Sequence, residues 1–201
     1  MTRKYKAVLI DIDNTLTRLQ PTLDSMSEHF GLGNITEDEV DSFYLADCFE
    51  GVTKKEESDF WEKKEADNCA AAELAKDRVE SIYENYIDED TEIHIVTARK
   101  AHLLDVTKNW LKKTGLMYHS LHCVGWQSKL KWIESNLPQI EAVFEDSPSL
   151  FIQAFEDGDD KHIDFSKIDY LYNVDAPAHY TLDRETGKEL ITMKKKVKQF
   201  E

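Results

Sequence analysis

Four short apolar segments recur along the chain, at intervals that leave room for helices between the later ones. Their near-continuous hydrophobicity is typical of strands that are buried on both faces of a parallel sheet. Between the last three segments, apolar residues repeat at the spacing of an α-helix, over 103–111 and 130–137. Strands that alternate with helices predict an α/β fold with a doubly wound, Rossmann-like parallel sheet. The four segments are residues 7–10, 93–96, 121–124 and 142–144.

Residues 18–68 interrupt this alternation. The stretch is acidic, its pattern predicts three helices, and it contains no convincing strand. Thr36, followed three residues later by Glu39, has the form of a capping box, which marks the start of a helix. We therefore predict a small helical cap at 18–68, inserted after the first strand, and a core domain formed by residues 1–17 and 69–201.

Further elements are predicted outside the cap and the four strands. A helix near 70–86 is expected to lead the chain back to the sheet. Ser147-Pro148 has the form of a helix N-cap followed by proline, which predicts a helix that continues to Phe155. Residues 168–172 predict another strand, whereas 183–201 is predicted to be mostly turn, hairpin or frayed tail.

Polar side chains of chemical interest follow the predicted strands at their carboxyl ends. In open α/β sheets, ligands bind in the crevice beyond these ends. Side chains that follow different strands are therefore expected to meet at one edge of the sheet. After the first, second, third and fourth strands they are, in order, Asp11 with Asp13, Thr97, the segment 125–129, and Glu145 with Asp146.

Asp11 and Asp13 stand at the end of the first strand with one residue between them. Two carboxylates about 4 Å apart repel each other by roughly 4 kcal/mol at an effective dielectric constant near 20. A divalent cation relieves this repulsion, and a ligand set made only of oxygen atoms favours Mg²⁺ over Zn²⁺. A turn rich in Asp and Asn is the alternative explanation of the same residues.

The segment 10–17, Ile-Asp-Ile-Asp-Asn-Thr-Leu-Thr, resembles the first motif of the haloacid dehalogenase (HAD) superfamily, a hydrophobic strand followed by DxDx[TV]. The resemblance implies that Asp11 attacks phosphorus to form an aspartyl-phosphate. It also implies that Asp13 protonates the leaving oxygen and then activates water, while its main-chain carbonyl helps to hold Mg²⁺. Asn14 and Thr15 are expected to bind substrate. Many phosphatases of the superfamily have Gly where Asn14 stands, and Asn tolerates left-handed backbone geometry better than most residues.

Thr97 matches the second motif of the superfamily, a Ser or Thr that follows a strand and hydrogen-bonds a phosphoryl oxygen. On its own, Thr97 would be explained as the N-cap of the following helix. Ala98 and Arg99 come next and are expected to bind substrate. Two interpretations of Arg99 remain open: it makes a second contact with the phosphate, or it is a solvated surface residue.

The third motif is a lysine on a helix, for which Lys129 and Lys131 are the candidates. Lys129 is preferred because it falls in the first turn, where a cation is mildly unfavourable to the helix dipole and needs another reason to be present. Glu145 and Asp146 match the fourth motif, an acidic pair at a strand end. The resemblance implies that Asp146 binds the metal directly. It implies that Glu145 acts through a water molecule or by supporting the residues that bind the metal. The alternative is that both are acidic residues that stabilise the start of a helix.

Within the superfamily, the chain resembles the nucleotidases related to 5'(3')-deoxyribonucleotidases, from about residue 6 to residue 150. The implied reaction is hydrolysis of a nucleoside monophosphate to nucleoside and inorganic phosphate. Thr-Ala-Arg at 97–99 departs from the Thr-Ser-Pro of characterised deoxyribonucleotidases, so their pyrimidine preference is not carried over. The segments that carry the resemblance are 59–62, 97–102 with Trp110, 124–125 ahead of Lys129, and 144–146.

Aromatic residues of the predicted cap, Phe43 and Trp61 among them, are candidates for stacking on a nucleotide base. The alternative is that they form the core of the cap. Two other functions are considered for the whole chain. One is a phosphatase that acts on another small phosphoester or on a polynucleotide 3'-phosphate, and the other is a catalytically silent HAD-like binding domain.

Charge narrows the choice of partner, because 25 basic and 40 acidic residues give a net charge of −15. Such a surface repels nucleic acid polymers and anionic membranes at long range, so a small phosphorylated metabolite is the expected partner. The apolar run near the N-terminus is too short for a signal segment or a membrane span. Three cysteines without CxxC spacing favour reduced thiols, and a cytoplasmic location is expected.

Overall fold

The computed structural model describes residues 4–40, 42, 44–125, 129–136, 139–146, 170–174 and 197–200. Its strands are β1 Ala7–Ile10, β2 Glu92–Thr97, β3 Ser120–Cys123, β4 Ala142–Glu145, β5 Tyr170–Val174 and β6 Val197–Phe200. They form one parallel sheet in the order β3-β2-β1-β4-β5-β6. The predicted doubly wound α/β sheet is thereby confirmed. β1 and β4 are neighbours at the point where the strand order reverses, which is where such sheets bind ligands.

The α-helices of the described residues are α1 Gln20–Phe30, α2 Lys54–Ala71, α3 Lys76–Tyr86, α4 Leu104–Thr114 and α5 Lys129–Asn136. The central strands carry fully buried apolar side chains such as Ile10, Ile95 and Phe144, and Ile82 of α3 and Leu111 of α4 belong to the same cluster. Burial of one such side chain contributes about 1.5–3 kcal/mol to folding. This packing makes β1 and its neighbours a rigid support for the residues that follow them.

A second hydrophobic cluster lies within the excursion between β1 and α3. Leu23 and Met26 of α1 and Phe60 of α2 are fully buried in it, with Leu45 and Phe49 beside them. Phe60 is therefore a core residue of this segment. The chain leaves the sheet and returns to it at one place, where Thr17 and Leu74 form an antiparallel bridge.

The predicted helix start at Thr36 is only partly right. The capping box is present, with the Thr36 backbone N–H donating to the Glu39 carboxylate at 2.8 Å, but it opens a single 3₁₀ turn, Glu37–Glu39. The physical reason lies in Glu37, whose carboxylate accepts a hydrogen bond from the Gln20 backbone N–H at 2.8 Å. This turn therefore caps the start of α1, whose N-cap, Leu19, has no oxygen in its side chain.

The helix predicted near 70–86 begins later than expected. α2 continues to Ala71, and α3 starts only at Lys76. Between them, the Ala72 carbonyl accepts a hydrogen bond from the Trp110 indole N–H at 2.7 Å. Because this carbonyl and the bridge at Leu74 are bound to the core, the backbone cannot remain helical there.

Near the C-terminus, β5 confirms the strand predicted at 168–172, displaced by two residues. β6 lies inside 183–201, so the prediction of turn, hairpin or frayed tail is wrong for Val197–Phe200. The helix predicted from Ser147 lies outside the described residues. Among the helices that are described, none is both long and apolar enough to cross a membrane.

Candidate active site

The turn after β1 is held in place from several sides. The Asp11 backbone N–H donates to the Phe144 carbonyl at 3.0 Å, which extends the pairing of β1 with β4. Asn14 then adopts a left-handed conformation with φ of 61°. Arg78 of α3 donates to the carbonyls of Asn14 and Thr17, the latter at 3.0 Å. The side chains of this turn are thus presented at the sheet edge with little freedom.

Three carboxylates lie together at the ends of β1 and β4. Asp11, Glu145 and Asp146 are all buried, and each has an oxygen atom within 4.8 Å of the others. The Lys129 ammonium, at the start of α5, donates to Asp11 Oδ1 at 2.5 Å and to Glu145 Oε2 at 2.7 Å. The Thr15 hydroxyl donates to Asp146 Oδ1 at 3.4 Å. Residues as far apart in the sequence as Asp11 and Asp146 therefore meet at one point.

Electrostatic interactions in this cluster are strong. Burial, followed by the nearby charge of Glu145, raises the pKa of Asp11 to about 8, although Lys129 opposes the shift. Burial disfavours the charged form of Lys129, but the carboxylates of Asp11 and Glu145 outweigh it and raise the pKa of Lys129. The lysine is therefore a fixed cation among carboxylates that repel one another. Additional positive charge at this point would favour the ionised form of Asp11.

Asp13 points to a different cation. Its carboxylate, 52% exposed, accepts hydrogen bonds from Arg99 Nη2 at 2.6 Å and Arg99 Nε at 3.0 Å. The Thr97 hydroxyl lies 3.5 Å from the same carboxylate and accepts a hydrogen bond from the Arg99 backbone N–H. The two aspartates of the first motif are thus held apart, Asp11 by Lys129 and Asp13 by Arg99.

Arg99 is buried, so the solvated surface position considered for it is wrong. Its Nη1 donates to the Thr107 hydroxyl at 3.2 Å, and its Cζ lies 5.7 Å from the centre of the Trp110 ring. Although burial disfavours the charged guanidinium, the carboxylate of Asp13 raises the pKa of Arg99. Ala98, beside it, is partly buried.

Trp61, one of the two cap aromatics that were predicted to bind substrate, is partly buried. Trp61 packs against the second hydrophobic cluster, and its indole N–H donates to Glu57 Oε1 at 3.4 Å. Phe43 lies outside the described residues. A role for these residues in substrate binding stays a prediction.

Two residues of the site were missed by sequence reasoning. Thr107 was detectable, because it is a polar residue on the apolar face of α4, four positions from Leu103 and from Leu111. Arg78 gives no comparable signal, since an arginine on a charged helix is ordinarily a surface residue. Its position under the turn depends on how α3 returns to the sheet.

Comparisons with known proteins agree with this architecture. No family model matches the chain. "Putative nucleotidase BH1399" of Halalkalibacterium halodurans is 32% identical over 146 residues, which are 72% of this chain and 71% of that protein. "Putative nucleotidase YqfW" of Bacillus subtilis is 27% identical over 137 residues, 68% of each chain.

Among solved structures, a HAD-superfamily hydrolase of subfamily IA from Geobacter sulfurreducens superposes with a TM-score of 0.50 at 13% identity, covering 87% of this chain and 90% of the other. This superposition shows that the chain has the fold of the HAD-superfamily hydrolases. The chain belongs to the family of these bacterial nucleotidase-like proteins, to which the 32% identity over 72% of its length assigns it.

Proposed function

We propose that the protein is a Mg²⁺-dependent phosphomonoesterase that acts through an aspartyl-phosphate. The observation that carries the proposal is the buried carboxylate of Asp11 at the β1–β4 junction, with Lys129 at 2.5 Å and the acidic pair 145–146 beside it. Such an arrangement holds a nucleophile in a fixed position next to groups that neutralise phosphate charge.

The donor set suits Mg²⁺. The side chains that meet are carboxylates, which are ligands that hard divalent cations prefer. Asp11 and Asp146 would bind the ion directly, with the main-chain carbonyl of Asp13, while Glu145 supports Lys129 or acts through water. When bound, the ion neutralises charge on the phosphoryl oxygens.

The chain's own residues account for the two chemical steps. Asp11 attacks phosphorus, the bond to the leaving oxygen breaks, and Asp13 gives that oxygen a proton. Water then attacks the aspartyl-phosphate, Asp13 takes a proton from it, and inorganic phosphate leaves with Asp11 restored. Thr97 and Lys129 hold phosphoryl oxygens in both steps, and Thr15 orients Asp146.

A nucleoside monophosphate is the proposed substrate, since the relatives in sequence are named as nucleotidases. Residues 18–68 would form the cap that contacts the nucleoside, above a core of 1–17 and 69–201. Phe43 and Trp61 are its candidate stacking residues, and Asn14, Thr15 and Ala98 are the candidates for contacts nearer the phosphate. The acidic surface favours a small substrate over a polymer.

A phosphate-release screen tests both levels of the proposal. Purified protein with Mg²⁺ is assayed against nucleoside monophosphates, sugar phosphates and oligonucleotides with a 3'-phosphate, and EDTA should stop the reaction. Asp11→Asn should abolish turnover, while Asp90→Asn, an exposed aspartate in the turn before β2, serves as the matched control. Normal turnover by Asp11→Asn would exclude the mechanism. Hydrolysis of sugar phosphates alone would exclude a nucleotide as the substrate but would remain consistent with the aspartyl-phosphate mechanism.

A further inference from the structure

The guanidinium group of Arg99 donates hydrogen bonds to other side chains of the protein from each of its nitrogen atoms. Nε and Nη2 bind the two oxygens of Asp13, and Nη1 binds the Thr107 hydroxyl. Its side chain is only 3% exposed. The guanidinium group is thus engaged through all three of its nitrogen atoms.

The backbone of Arg99 is fixed as well. Its N–H donates to the Thr97 hydroxyl at 3.2 Å, and its carbonyl accepts from the Gly125 N–H at 3.1 Å. These bonds join the loop after β2 to the loop after β3. The cation is therefore held by the sheet edge and by α4, independently of any substrate.

Asp13 is the more exposed partner of this pair. Its side chain is about half exposed, whereas the arginine that binds it is enclosed. A planar guanidinium that binds a carboxylate through two nitrogens fixes its orientation as well as its distance. The orientation of a reacting group matters for the rate of reaction. A misplacement of about 1 Å can lower that rate by about 100-fold.

We propose that Arg99 is a positioning residue, which sets the orientation of the Asp13 carboxylate and does not contact the substrate phosphate. The inference rests on the proposed function, in which Asp13 transfers the protons. It replaces the phosphate contact that the sequence left open for this residue. Lys129 and Arg99 then have separate tasks, one at the nucleophile and one at the proton-transfer group.

A double-mutant cycle on activity distinguishes positioning from phosphate binding. Arg99→Gln should lower kcat by about 10- to 100-fold with KM within about twofold of wild type, because orientation and not binding is lost. In an Asp13→Asn background, Arg99→Gln should add no further loss of kcat. A raised KM with unchanged kcat, or losses that multiply, would overturn the proposal.

Two variants guard against trivial explanations. Lys100→Gln removes the neighbouring positive charge, which pairs with Glu65 and not with Asp13, and should leave kcat unchanged. Arg99→Lys keeps the charge but not the two-nitrogen geometry, and its kcat should lie between those of wild type and Arg99→Gln. A kcat for Arg99→Lys equal to that of wild type would show that charge alone suffices and would contradict the proposal.

A second readout does not depend on turnover. The urea midpoints of the Asp13→Asn and Arg99→Gln variants should shift non-additively, because each removes the same contact. Wild-type protein without phosphatase activity would overturn the proposed function together with the catalytic part of this inference. Additive midpoint shifts in an active enzyme would overturn the inference alone.

Discussion

Replacement of Lys129 by methionine is the sharpest test of how the site is held together. Methionine preserves most of the aliphatic stem and removes only the ammonium, which lies 2.5 Å from Asp11 and 2.7 Å from Glu145. The variant leaves the two carboxylates facing each other without their shared cation. Both the stability of the fold and the chemistry should respond.

The distances set the scale of the loss. At an effective dielectric constant near 20, contacts of 2.5 and 2.7 Å each correspond to about 6–7 kcal/mol of gross attraction. Desolvation of the buried ions cancels most of this, at several kcal/mol per ion. Removal of one partner from a buried ion pair costs about 3–5 kcal/mol, because a charge is left uncompensated. We expect a loss in this range for Lys129→Met.

Urea unfolding in EDTA at pH 9, followed by circular dichroism, measures the stability at a pH where Asp11 is ionised, because its pKa is raised to about 8. Phosphate release with Mg²⁺ measures the activity. Lys131→Met is the matched control, since Lys131 is the other lysine that the sequence offered for this role. It should change neither quantity. A Lys129→Met protein within about 1 kcal/mol of wild type, or loss of activity in Lys131→Met instead, would refute the assignment.

Two further predictions concern the turn and the sheet. Asn14→Ala should lower the free energy of unfolding by about 1–2 kcal/mol, because φ is 61° at this position and alanine adopts this left-handed conformation at a cost. Asn14→Gly should stay within about 0.5 kcal/mol of wild type, because glycine adopts it freely. Equal urea midpoints for the two variants would contradict this reasoning. Burial holds the pKa of His94 below its ordinary value of 6.5, against the opposing charge of Glu92. The unfolded chain therefore binds more protons as the pH falls from 6.5 to the folded pKa, and stability should decrease over that window and no further below it. Urea midpoints between pH 7 and pH 5 should fall less for His94→Asn than for wild type, and identical slopes would rule out His94 as the cause.

The central strands were predictable because their sequences carry a strong signal. Ala7–Ile10 is apolar at every position, and β1 has these same bounds. β6 carries no such signal, since Val197–Phe200 includes Lys198 and Gln199. Its assignment as a strand depends on the neighbouring backbone of β5, with which it pairs.

Several members of the site were predictable from the sequence, but their pairings were not. Strand ends brought Asp11, Asp13 and Lys129 into consideration, because parallel strands present their carboxyl ends at one edge. That Asp13 binds Arg99 while Asp11 binds Lys129 depends on side-chain directions across separate loops. No spacing in the sequence encodes those directions, and the burial of Arg99 in particular follows from its contacts with Thr107 and Trp110 of α4.

The bridge between Thr17 and Leu74 has a consequence for how such a protein can diversify. Hydrogen bonds from Arg18 to Glu73 and from Ala75 to Leu16 keep the two crossing points of the excursion side by side. Doubling the length of a flexible loop between fixed ends costs only about 0.6 kcal/mol. The intervening segment can therefore be shortened, extended or exchanged while the sheet keeps its register. New substrate preferences could arise in this way without a new catalytic centre.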